Sequence, residues 1–204
     1  MDRTATRTVA LPVSKAQRIL RDTMQSLGYS RATAELGVWS AIWLEERQLS
    51  GIIKLVVYLC LVKDTPFEEL KPRRDLELGL KGICPFMMAE ALVQLSDHWI
   101  LKNGVVCGAP AEVNLAMASL ADWAGLRNQS LRLTHLDYQC RYSTDGWEFE
   151  SGDTTKFGGV HPSSQHPMTV ELCDGFSPPN RRRKLKEIEL PRRRLQKSGL
   201  LDLS

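Results

Sequence analysis

No stretch of this sequence is apolar for long enough to cross a bilayer. The longest apolar run, Ile52 to Val62, is interrupted by Lys54 and is about half of the ~20 residues a membrane helix needs. No membrane insertion is expected. Residues 1–13 carry Arg3 and Arg7 but not the continuous apolar core of a secretion signal, so the expected compartment is the cytoplasm. Cysteine occurs only as Cys60, Cys84, Cys107, Cys140 and Cys173, without a CxxC or any metal-ligand spacing. That excludes a zinc ribbon and points to free thiols, buried as small apolar side chains. Histidine is scarcer, with four in the chain and none before position 98. Phosphate loops are lacking too. Lys156-Phe157-Gly158-Gly159 has neither GxGxxG nor Walker spacing and no strand-turn-helix context, and there is no Gly-x-Ser-x-Gly elbow. No internal repeat is present.

What is present reads as one domain of ordinary apolar content, 43% over 204 residues, enough to bury a core without disulfides or metals. Ser14 and Gln17 have capping-box spacing, and Ile19, Leu20, Met24 and Leu27 follow at helical intervals before Gly28. Ser30 opens a second helix. Ala34, Val38, Ala41 and Ile42 line one side of it, and Leu36, Trp39 and Trp43 form an adjacent aromatic stripe. Leu49-Ser50-Gly51 precedes a third, almost wholly apolar helix expected near the middle of the core.

A partly alternating stretch over 73–83 comes next, and further helices are expected from Pro85 to about Leu101 and from Pro110 to Gly125. After Ser130 the pattern turns to period two. Asp145-Gly146 marks a hairpin, and Met168 to Cys173 a further strand. The expected fold is α+β: an N-terminal helical bundle, then a small antiparallel sheet. Residues 1–13 read as an extension, 14–176 as the domain and 177–204 as a basic, mobile tail with at most a short helix over 184–190. The tail region from 180 on holds nine Lys or Arg against three acids, which leaves the rest mildly acidic, at eighteen against twenty-one.

Three segments resemble a bacterial family of about this length, catalogued as a domain of unknown function: SKAQRILRDTMQSLGYSRATAELGVWSAIWLEERQLSG, GICPFMMAEALVQLSD and PAEVNLAMASLADWAG. The resemblance covers residues 14–149 and implies a fold but no catalytic residue. Where members end in a glycine-rich, acidic close, this chain ends in ELPRRRLQKSGLLDLS. Residues 14–72 are more weakly similar to the start of the NAD(P)-dependent malate/L-lactate dehydrogenases. Those continue with Arg-Gly and Ser-His-Gly, but this chain has Leu49-Ser50-Gly51-Ile52-Ile53-Lys54, without the catalytic histidine.

Candidate chemistry is sparse. Asp97-His98 places a carboxylate beside an imidazole, and Cys84 stands where a helix dipole would lower a thiol pKa. Fourteen residues of helix separate Cys84 from His98, about 20 Å, so a Cys-His pair would need His135 brought in by packing. His161 and His166 with Asp153 make an incomplete metal set, and no metal site is assigned. Arg181, Arg182, Arg183 and Lys184 with Arg192, Arg193 and Arg194 offer phosphate contacts, but without interleaved aromatics for base stacking.

The expected function is that of a non-catalytic accessory domain, binding a protein partner or itself through an aromatic-rich helical face. Solvent exposure of Trp39, Trp43 or Trp123 would favour that interface; burial of all three would make them core. The alternatives are a divergent small-molecule enzyme, its cofactor unspecified, and weak nucleic-acid association through the tail.

Overall fold

The computed structural model describes residues 9–75, 79–99, 104–152, 167–174, 182–191, 195–196 and 198–200. It is an α+β fold, helices first and a five-stranded antiparallel sheet after them. Strand β1 (Val9–Pro12) leads directly into α1 (Val13–Ser26). That helix starts one residue before Ser14, with Pro12 as its uncapped N-terminus, so the Ser14–Gln17 capping box is not used. Ala16, Leu20, Thr23 and Met24 form its buried stripe, while Ser14, Lys15, Arg18 and Asp22 face water. Gly28, at φ +92°, closes the helix. Its N–H bonds to Gln25 and that of Tyr29 to Met24, satisfying two of the last carbonyls.

Helix α2 (Arg31–Glu46) begins at Ser30, whose hydroxyl accepts the Thr33 N–H at 3.1 Å, the N-cap expected from sequence. Its end is a tight reversal into α3 (Gly51–Val62). Gln48 (φ +64°) and Ser50 (φ +52°) both take left-handed backbone there, each without glycine's freedom. Gly51 then lets the two helices touch, because a Cβ at this position would overlap the Ala41 carbonyl and approach Leu44 Cβ to 2.7 Å.

A one-turn α4 (Phe67–Leu70) and a hairpin of β2 (Arg73–Asp75) with β3 (Gly79–Lys81) lead to α5 (Pro85–Trp99). Strand β4 (Val105–Gly108) and helix α6 (Val113–Gly125) follow, then β5 (Gln129–His135), β6 (Tyr138–Tyr142), β7 (Trp147–Gly152) and β8 (Pro167–Asp174). The sheet order is β4-β8-β5-β6-β7, every pairing antiparallel. Leu131, Leu133 and His135 on β5, with Tyr138, Cys140 and Tyr142 on β6, point inward, where α6 packs on β5 and β6.

The basic segment contributes to the fold. Strand β9 (Glu187–Leu190) pairs antiparallel with β1, Val9 opposite Leu190 and Pro12 opposite Glu187. This corrects the short helix expected over 184–190. Ile188 and Leu190 are buried while Glu187 and Glu189 face out, which is period two rather than helical. The segment is tied to the end of α2 as well. The Arg183 N–H donates to the Glu46 carbonyl at 2.8 Å, and the Arg182 and Arg183 side chains pair with Glu46 and Glu45 at 3.1 and 3.2 Å.

Gly51→Ala should destabilise the fold by about 2–3 kcal/mol through forced separation of α2 and α3. Urea unfolding checks this; an unchanged midpoint would mean that the helices do not meet closely there.

Candidate functional site

Two polar clusters lie in the interior. In the first, Lys54 comes from the middle of α3 and Glu112 stands at the N-cap of α6. Both are buried, at 4% and 1% exposure. Lys54 Nζ lies 3.3 Å from Glu112 Oε1. The same oxygen accepts the Asn114 backbone N–H at 3.3 Å and Asn114 Nδ2 at 3.1 Å. Tyr142, fully buried on β6, donates its hydroxyl to Asn114 Oδ1 at 2.6 Å. Glu112 thus caps a helix, balances a buried ammonium and organises an amide-phenol chain together.

Its other oxygen, Oε2, is buried and has no hydrogen-bond partner among the described residues. Residues 110–114 line a small cavity with His135 and Tyr138. At about 10 Å³ the cavity is near the minimum that holds one water. His135 is 2% exposed and its Nδ1 lies 3.3 Å from the Pro167 carbonyl. A carbonyl only accepts, so that nitrogen carries the proton. The ring meets Tyr138 edge-on, centroids 5.8 Å apart. Burial, then Cys140 and Glu112, push the Tyr138 phenol well above its ordinary range.

The second cluster holds Cys84, immediately before α5. The hydroxyls of Tyr58 and Tyr29 and backbone groups of Met87 and Phe86 lie near its thiol and favour the thiolate. The two phenols share a 2.5 Å hydrogen bond. Burial nonetheless outweighs these neighbours, and the thiol pKa rises. This is the opposite of nucleophile activation. Cys107 is pushed by burial to about 12.

The other sequence candidates fall as follows. Asp97 and His98 occupy the last turn of α5, their side chains outside the described residues. Asp153, His161, His166, Arg181, Arg192, Arg193 and Arg194 also lie outside them. Cys84 and His135 belong to the two different clusters. Arg182 and Arg183 pair with acids of α2, and Lys184 lines a surface groove. Among the described residues no set of three His, Cys, Asp or Glu is placed to hold a metal ion, and no helix is long and apolar enough to cross a membrane.

Of the tryptophans, Trp43 is buried at 5% exposure and carries the Arg47 guanidinium at 3.8 Å over its ring. Trp123 is half-buried with Arg127 stacked on it at 4.2 Å. Trp39 is 39% exposed. Arg47 itself, 2% exposed, bonds to the carbonyls of Trp43 and Thr144 and so clamps the end of α2 to the β6–β7 turn. Burial and the nearby Arg182 lower its pKa to about 10.

The residues that sequence reasoning missed are Glu112, Asn114, Tyr138 and Tyr142, which acquire meaning only through tertiary packing. The available signal was Lys54, a single cation in an apolar helix, which requires an anion somewhere in the core.

No family model, curated protein or solved structure matches this chain.

The raised thiols set an alkaline limit. An unfolded thiol ionises near 9.0, while Cys107 stays protonated in the fold to about 12. The folded state therefore keeps a proton that the unfolded state loses, and stability falls as pH rises above 9. By about pH 10.5 Cys107 should contribute a loss on the order of 2 kcal/mol. Comparing urea midpoints at neutral and alkaline pH for wild type and Cys107→Ala checks this. The wild type should lose more, and an equal loss would contradict the assignment. In the native protein at neutral pH, Cys84 and Cys107 should resist an aromatic disulfide reagent until the chain unfolds.

Proposed function

We propose that this chain is a non-catalytic interaction domain that docks a protein surface on the outer face of α3. The observation that carries the reading is the composition of that face. Ile53 and Leu61 are 47% and 43% exposed, and Val57 and Cys60 lie half-buried between them, the Cys60 thiol bonded to the Ser198 hydroxyl at 3.3 Å. At 100° per residue these four positions, with Asp64 just beyond the helix, fall within about a third of the helix circumference. Helix α1 of the same domain turns Lys15, Arg18 and Asp22 to water, the usual arrangement at a solvated surface. Helix α3 turns aliphatic side chains to it. Single exposed apolar residues are ordinary, but a contiguous row marks an interaction surface. The face we propose is aliphatic and on α3; of the aromatic-rich face expected from sequence, Trp39 is 39% exposed and Trp43 is buried.

Two observations weigh against the alternatives. The cavity beside the buried Glu112 cluster has room for about one water, far less than a substrate needs. The guanidinium groups of Arg182 and Arg183 already pair with Glu46 and Glu45, which reduces the free charge offered to phosphates.

Glutamate at Ile53 and Leu61 tests the reading. Both side chains are already well exposed, so each change should alter stability by no more than about 0.5 kcal/mol. Association should be abolished, whether measured as self-association by light scattering or as capture of a partner. Unchanged association in the folded double variant would contradict the proposal.

A further inference from the structure

We propose that the cavity beside Glu112 is a binding site for one ordered water, which bridges the start of α6 to the β5–β6 hairpin. A carboxylate at 1% exposure needs donors at both oxygens to replace its lost hydration. In Glu112 the donors are unevenly shared. Oε1 receives Lys54 Nζ at 3.3 Å, the Asn114 N–H at 3.3 Å and Asn114 Nδ2 at 3.1 Å. Oε2 receives none among the described residues.

Several groups in the cavity wall have no donor to give it. Pro110 carries no N–H, and the Ala111 N–H donates to the Ile83 carbonyl at 3.1 Å. The Asn114 N–H is spent on Oε1. On the sheet side, His135 commits its Nδ1 proton to the Pro167 carbonyl at 3.3 Å, which makes Nε2 an acceptor. A small donor held in the cavity that Glu112 shares with His135 and Tyr138 supplies what Oε2 lacks.

Size and charge select the occupant. At about 10 Å³ the cavity holds one water and nothing larger. Lys54 and Glu112 already cancel, so a sodium or ammonium ion would leave an uncompensated charge in the core. Water adds none. It donates one hydrogen to Oε2 and keeps a second donor and two acceptor positions for the imidazole and phenol in the same wall. Buried waters make about three such bonds. The bridge ties α6 to β5 and β6 through the oxygen that the Lys54 pair leaves over, beside the direct bond from Tyr142 to Asn114.

A high-resolution crystal structure of the full chain tests this directly. One peak should lie about 2.5–3.0 Å from Glu112 Oε2, with a further polar contact to His135 or Tyr138. In solution, oxygen-17 relaxation dispersion counts long-held waters. The wild type should show one more than the variant carrying Lys54→Met and Glu112→Leu, which removes both charges together and leaves an apolar, dry cavity. The crystal measurement uses the unaltered chain and does not depend on that variant folding. No peak beside Oε2, a protein donor turned onto it, or equal counts in the two folded chains would overturn the proposal. So would a peak whose short contacts to five or six oxygens identify a cation.

Discussion

A carboxylate at 1% exposure is tolerated only where donors replace the water it has lost, and Glu112 receives an ammonium, a backbone N–H and an amide on one oxygen. The middle of α3 and the start of α6 are fixed to each other by that oxygen. Asn114 passes the constraint on to Tyr142 and so to the sheet. Such a pair is poor evidence of extra stability, since well-packed apolar residues can replace both partners at little cost. What it supplies is position. Removing either partner leaves a buried charge without compensation, so α3 cannot rotate or slide without breaking the pair.

The surface reading follows from that fixed rotation. Neighbouring helical residues are 100° apart. With Lys54 turned inward to Glu112, Ile53 and the positions one and two turns beyond it are carried to the outside. The aliphatic face is thus a consequence of an ion pair in the core. The chain around it is braced in the same sense. Gly51 brings α3 against α2, Glu45 accepts the Ile52 N–H at 3.3 Å, and Arg183 pairs with Glu45 from the basic segment. Arg47 holds the far end of α2 to the hairpin turn through Thr144.

The helices were legible in the sequence because their signals are local. Ser30 caps α2, Gly28 ends α1, and the apolar run ending at Val62 is α3. The β6–β7 hairpin was equally plain at Asp145-Gly146. Other elements depend on partners far along the chain. Val9–Pro12 has little strand character alone and becomes β1 only beside β9. The arginines of 181–183 dominate the composition there and mask the alternation of Ile188 and Leu190 that follows. The interior site was least legible. Glu112 is an unremarkable acid before a helix until Lys54, 58 positions earlier, is folded against it. Cys84 was placed correctly at a helix start, but sequence could not show that burial outweighs the helix dipole there.

A double-mutant cycle on Lys54 and Glu112 tests the central claim most directly, using Lys54→Met, Glu112→Gln and the pair, with stability read by urea unfolding. Glutamine keeps an acceptor for the α6 cap, so the cycle isolates the charge. If one carboxylate fixes α3, each single change should cost about 3 kcal/mol and the double change little more than the worse single. Costs that simply add, to within about 0.5 kcal/mol, would show that the two groups are independent and would remove the constraint from which the outward face of α3 was derived.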